Sequence, residues 1–410
     1  MILLAILVAL ALVRYAGSGG HSAQSVPSPT ARRSRGTHRQ ATKPTVFHSN
    51  APLMQAASPT YSATPRPSPT HPPPRTATPA PPTSTNTPAP PATATPSPIP
   101  TSTMTHTPTP EPRPTRPAAP VSWLRDETLL TIYGRAFGVA PILGRLGIDN
   151  NFSDLEWQIQ PYARGIKANN GGKETRIAVH LIYGMAVPCA DASNCLYYLD
   201  DAGVNIVKQY VEPAARRHWL VVLDDQLGRS DPATEVRRLA AKGYLAYDNV
   251  EIALDPEFRT GPYQPTPGIP VGSIDGSEIN AAQAYVNAYS ARHHLRHRKV
   301  LIVHQFQVAM IQNRAAIKSD YPWVDPVFDA DGFGPPGIKA GVYHQLLGPG
   351  ASQGVRWRGI KLFLPNPYET THHSDDPPMT WSQALGRQKA VDFDGSVYYV
   401  RPGPNVIVIA

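Results

Sequence analysis

The residues in this chain best suited to chemistry are Asp255 and Glu257, in the stretch ALDPE. Side chains alternate along a strand, so Glu251, Ala253, Asp255 and Glu257 share one side of a regular strand. Two crowded carboxyls split their proton affinities, leaving one protonated near neutral pH and the other ionised. Cleavage of a glycosidic bond uses that combination: an acid protonates the leaving oxygen, and a carboxylate stabilises or attacks the anomeric carbon. The plainer alternative is that Asp255 caps the following loop and Glu257 pairs with Arg259.

Other polar groups follow short apolar runs in the same way. Asp224 and Asp225 close WLVVLDD, and Asp331 follows VDPVFDAD, which makes all three candidates for a further catalytic carboxylate. Tyr133, His304, Gln305, Asp329 and Trp323 sit at or beside run ends and are candidates for substrate contacts. Trp357, Trp381 and Tyr263 also lie near loops, where a flat apolar ring suits either a sugar face or edge packing. His180, Asp224, His304 and Asp329 could converge on a metal ion, but the first run, LLTIYGR, lacks the HxH of metal-dependent barrel hydrolases. His372 and His373, in ETTHHSDD, read as an exposed polar loop. No metal or cofactor is expected.

These residues need a scaffold, and the chain advertises one. Eight short apolar runs recur every 30–50 residues or so: Leu129–Tyr133, Ile177–Tyr183, Trp219–Leu223, Val250–Leu254, Val300–His304, Val324–Phe328, Ile360–Leu364 and Val406–Ile409. Continuous apolar runs mark strands buried on both faces, as in a parallel sheet. Helical patterns over 153–167, 204–217, 232–242, 277–297, 338–347 and 380–388 separate them. In the fourth of these, the basic run His293–Arg298 reads as a solvated helix end. The predicted class is α/β, a single (β/α)8 TIM-type barrel with its chemistry at the C-terminal ends of the strands. VDFDGSVYYV (391–400) competes with Val406–Ile409 for the eighth strand, or forms a hairpin before it. The glycines after the first run miss the GxGxxG spacing of a dinucleotide fold.

A DxE closing the fourth strand of such a barrel resembles barrel-fold glycoside hydrolases, chitinase-type and muramidase-type. In the chitinase pattern DxxDxDxE, the last two acids fall on Asp255 and Glu257. The earlier positions fall on Val250 and Ala253. The resemblance implies Glu257 as proton donor and Asp255 as its partner.

Composition sets the remaining expectations. Of 47 prolines, 26 precede residue 121, and Thr, Ser and Ala fill most of that segment. Too few large apolar side chains remain there to offset the entropy of folding, so 23–120 is expected to be a disordered, semi-rigid stalk. Residues 1–22 open with the apolar run MILLAILVALALV, which is short for a bilayer span but matches a signal peptide core or a short membrane tether. Residues 121–410 form the one folded domain. Ten basic residues and one acid lie before residue 121, leaving 28 basic and 29 acidic residues in the fold. The fold therefore lacks the basic footprint of a nucleic-acid binder. Cys189 and Cys195, in PCADASNC, predict a small disulfide ring, in keeping with an exported, extracellular or cell-surface protein. The sequence reading is an exported hydrolase of a polysaccharide or cell-wall glycan. The alternatives are a glycan-binding barrel without catalysis and a metal-dependent barrel hydrolase. Oligomeric state is left open.

Overall fold

The computed structural model describes residues 119–138, 144–189, 193–261, 266–351, 355–365 and 374–410. The apolar leader, the segment expected to be a stalk, Tyr263, His372 and His373 lie outside them. Eight strands run parallel: β1 (Glu127–Gly134), β2 (Glu174–Ala186), β3 (Leu220–Asp225), β4 (Val250–Leu254), β5 (Lys299–Gln305), β6 (Val324–Ala330), β7 (Trp357–Leu362) and β8 (Val406–Ile409). Each pairs with the next, and β1 pairs with both β2 and β8, so the sheet closes on itself. Leu129 aligns with Arg176 on one side and Val406 on the other. This is a TIM-like α/β barrel.

Alternation along each strand divides the buried side chains into two sets. Leu129, Ala178, Ile182, Val222, Ala253, Ile302, Val327 and Val408 fill the interior. Leu130, Val179, Leu223, Ile252, Val303, Phe328 and Ile407 face the surrounding helices. These are α1 (Phe152–Asn169), α2 (Glu212–Arg216), α3 (Pro232–Ala241), α4 (Gly276–Arg292), α5 (Pro336–Leu347) and the single turn α6 (Trp381–Ala384). Asn151 rather than a serine caps α1, its side chain accepting from the amides of Ser153 and Asp154. A π-type turn, Val207–Val211, leads into α2. Between β5 and β6 there is no α-helix, only short 3-10 turns and the strand Ile311–Gln312 paired with Ile274–Asp275.

Three local expectations are corrected. The fourth helix stops at Arg292 because His294 takes a left-handed conformation, φ 52°. The run is solvated only in part: His293, His294 and Arg296 are exposed. Leu295 is buried, His297 stacks on Trp123 with centroids 3.6 Å apart, and Arg298 pairs with Asp325 at 3.0 Å. The last helix shrinks to one turn, closed by a Thr380–Gln383 capping box. The eighth strand is Val406–Ile409, and the competing segment is a hairpin, Ala390–Val391 against Val397–Tyr398.

At the N-terminal end of the barrel, polar groups bond to one another across the strands. Glu251 accepts from Trp123 Nε1 (3.1 Å) and the Val300 amide (2.6 Å). Asp325 accepts from Trp357 Nε1 at 2.9 Å. Lys299 spends its ammonium on the carbonyls of Tyr247 and Val250. Trp357 thus belongs to the barrel floor, and Trp323, whose carbonyl accepts from Lys299, lies at this same end, away from the strand ends where substrate contacts were expected. Trp381 packs on α1 beside Tyr162.

Candidate functional site

At the C-terminal end, inward-facing positions of six strands converge. They contribute Thr131 and Tyr133, His180, Asp224, His304, Asp329 and Lys361, and the segments just after β4 and β6 add Asp255 and Asp331. All are buried.

Strand β4 ends at Leu254, so the regular alternation expected to carry Asp255 and Glu257 together does not persist. Instead Pro256–Phe258 form a 3-10 turn, and the Glu257 amide donates to Asp255 Oδ1 at 3.3 Å. Asp255 does cap the turn. Arg259, however, pairs with Glu278 at 2.6 Å, leaving Glu257 without that partner. Burial raises the Asp255 carboxyl to about 7; the negative charges of Asp224 and Asp331 add to this, against His304 and Lys361. Glu257 is raised to about 8 by burial, then by Asp255 and Asp331. Both carboxyls thus share one electrostatic environment at the barrel mouth.

Asp331 has the opposite character. Lys361 Nζ lies 2.9 Å from its Oδ2, and the Gly332 amide donates to Oδ1 at 2.7 Å. Burial opposes its charge, but Lys361 and His304 outweigh burial and hold the carboxyl below its ordinary value. The same ammonium stands 3.9 Å from the centre of the Tyr133 ring, a cation–π contact. Burial lowers the proton affinity of Lys361, yet Asp331 and Asp255 more than restore it, so the lysine stays charged. Tyr133 is raised by burial and by Asp224, Asp255 and Asp331, which keeps its hydroxyl protonated.

Below these groups sit two histidines. His304 Nδ1 is 2.9 Å from Asp329 Oδ2, and His180 Nδ1 is 3.2 Å from Thr131 Oγ1. Their Nε2 atoms face Asp224 Oδ2 at 3.6 and 3.4 Å. Burial lowers His180 to about 4. Burial also opposes charge on His304, but the hydrogen bond to Asp329 and the Asp224 charge raise it to about 9. Gly359 makes room for this arrangement: a Cβ there would lie 2.6 Å from Asp329 Oδ1.

Asp225 and Gln305 are not brought to the mouth. Each directly follows an inward residue, so the pleat turns it outward. Asp225 Oδ1 accepts from the Leu227 amide at 2.9 Å, and the carboxyl occupies space left by Gly184, close to Glu235 on α3. Gln305 accepts from Arg314 at 2.7 Å. Lys361, Thr131 and Gln226 were not singled out from sequence; Gln226 receives the Ala186 amide at 2.9 Å. A lysine inside the apolar run IKLFL was the available signal, since a buried lysine needs anionic company. Two surface clefts of about 340 and 420 Å³ open beside Thr128 and Glu127, at the opposite end of the strands, and touch none of these groups.

The predicted disulfide forms: Cys189 and Cys195 are bonded with Cα atoms 5.5 Å apart. It is compatible with an extracellular protein. Among the described residues no helix is long and apolar enough to cross a membrane. The chain matches no family model, no curated protein and no solved structure.

Proposed function

We propose that this barrel hydrolyses glycosidic bonds in a polysaccharide or cell-wall glycan, with Glu257 as the proton donor. The observation that carries the reading is the pairing of unlike carboxyls at one barrel mouth. Glu257 and Asp255 lie where burial and mutual repulsion favour the protonated form, and Asp331 is held ionised by Lys361. In the proposed reaction the Glu257 proton passes to the leaving oxygen as the C–O bond breaks. Asp331 faces the positive charge that develops at the anomeric carbon. Water then supplies the new hydroxyl and returns a proton to Glu257. Tyr133, with its hydroxyl protonated, is a hydrogen-bonding group for a sugar. Asp224 has no part in this step, being enclosed by His180 and His304. The disulfide, the apolar leader and the Pro/Thr-rich segment support a barrel exported and held from a cell surface by a stalk.

The test is release of new reducing ends from chitin oligomers, peptidoglycan, and α- and β-glucans by the purified full chain. Wild type should cleave at least one class, and Glu257→Gln should lower the rate by about 10²–10⁴-fold. Cleavage undiminished by that substitution would remove Glu257 from the role. Glycan binding without cleavage would replace the reading with a binding barrel.

A further inference from the structure

His180, Asp224 and His304 leave a problem that the hydrolytic reading does not touch. Both imidazole Nε2 atoms and both carboxylate oxygens of Asp224 are fully buried and have no hydrogen-bond partner among the described residues. A buried carboxylate without donors costs several kcal/mol, roughly, and persists where something else compensates it. The three side chains are near neighbours, with one ligand atom from each within 4.8 Å of the others.

The spacing is informative. At 3.4 and 3.6 Å, the Nε2 atoms stand too far from Asp224 Oδ2 for good hydrogen bonds, which run about 2.7–3.2 Å. For ligands bound tetrahedrally to one ion at about 2.0–2.1 Å, the edge between two ligand atoms is about 3.3–3.4 Å. The observed separations fit that edge.

The outer contacts point the same way. Metal-binding histidines are oriented by a partner on their second nitrogen, commonly a carboxylate. His304 has Asp329 on Nδ1 and His180 has Thr131. With each Nδ1 so engaged, both Nε2 atoms are left facing Asp224 Oδ2.

We infer that His180, Asp224 and His304 bind a divalent transition-metal cation inside the barrel, with Asp329 and Thr131 as the orienting residues. Two imidazoles and one carboxylate suit Zn²⁺ among the common ions and leave a coordination position for water. The site shares no ligand with the proposed proton donor Glu257, and metal uptake is read without a glycan, so failure of one reading is distinguishable from failure of the other.

The full chain, stripped with a chelator and dialysed, is titrated with Zn²⁺ by calorimetry. Uptake of one ion per chain with Kd below about 10 μM is expected, together with a rise in melting temperature at saturating Zn²⁺. Substituting Co²⁺ should give the visible d–d bands of a low-coordinate nitrogen and oxygen site. His180→Ala and His304→Ala should each weaken binding by about 100-fold or more. Thr131→Val, which keeps every ligand, should weaken it about 10-fold. That milder variant carries the test if the histidine variants do not fold. Glu257→Gln should bind Zn²⁺ as wild type does. Absence of saturable one-to-one uptake, or uptake unchanged by these His and Thr substitutions, would overturn the site.

Discussion

Lys361 and Asp331 form an ion pair inside the barrel, Nζ to Oδ2 2.9 Å, with both side chains almost wholly removed from solvent. Breaking such a pair by deleting one partner leaves an uncompensated charge. Lys361→Met should therefore destabilise the fold by about 3–5 kcal/mol, and Asp331→Asn in the same chain should recover part of that loss. Denaturant unfolding of the two single variants and the double variant measures the coupling. Additive losses would show that the two groups do not depend on each other.

The pH profile of glycan cleavage should fall on its alkaline side. A proton donor works only while protonated, and the Glu257 carboxyl is raised to about 8 by burial and by its acidic neighbours. Activity is thus expected below that pH and lost as pH climbs through it. Asp255→Asn removes one negative neighbour and should move the alkaline limb to lower pH. A limb that stays in place in this variant would show that Asp255 does not act on Glu257.

Gly359→Ala tests the space behind Asp329. The added Cβ would stand 2.6 Å from Asp329 Oδ1 and 3.1 Å from Asp329 Cβ, so the aspartate must shift and its bond to His304 must loosen. Overpacking of this kind typically costs about 1–3 kcal/mol. Thermal unfolding should show the loss, and Zn²⁺ affinity should fall with it.

Reduction of the Cys189–Cys195 bridge should be mild. A ring this small restrains little of the unfolded chain, so loop-closure arguments give about 2 kcal/mol. Melting curves with and without a thiol reductant would register that as a shift of a few degrees, with the barrel still folding cooperatively. Failure to fold when reduced would contradict a local role for the bridge.

The eight strands were readable because a barrel strand is buried on both faces and so appears as an unbroken apolar run; WLVVL and VLIVH are examples. Less readable was the side each residue faces. Asp224 and Asp225 are adjacent and chemically identical, and only the register with β2 and β4 turns one inward and the other toward α3. His304 and Gln305 divide in the same way. Trp323 precedes its strand rather than following it, which by itself assigns it to the opposite end. The turn after Asp255 was hidden because Pro256 is compatible with an edge strand or with the first position of a helical turn. The convergence of His180 with His304 was the hardest to foresee. It joins positions 124 residues apart through the curvature of the closed sheet, which no local pattern encodes.

The sealed floor has a consequence for traffic. Trp123 lies under the Arg176 guanidinium at 4.2 Å and against His297, while Glu251 and Asp325 are tied to the indoles above and beside them. The interior above this floor is a packed core rather than a passage, filled by Leu129, Val222, Ile302 and Val327. On the proposed reading, a glycan would lie across the C-terminal end of the barrel rather than pass through it. On that reading, product and fresh substrate would share the same end of the barrel.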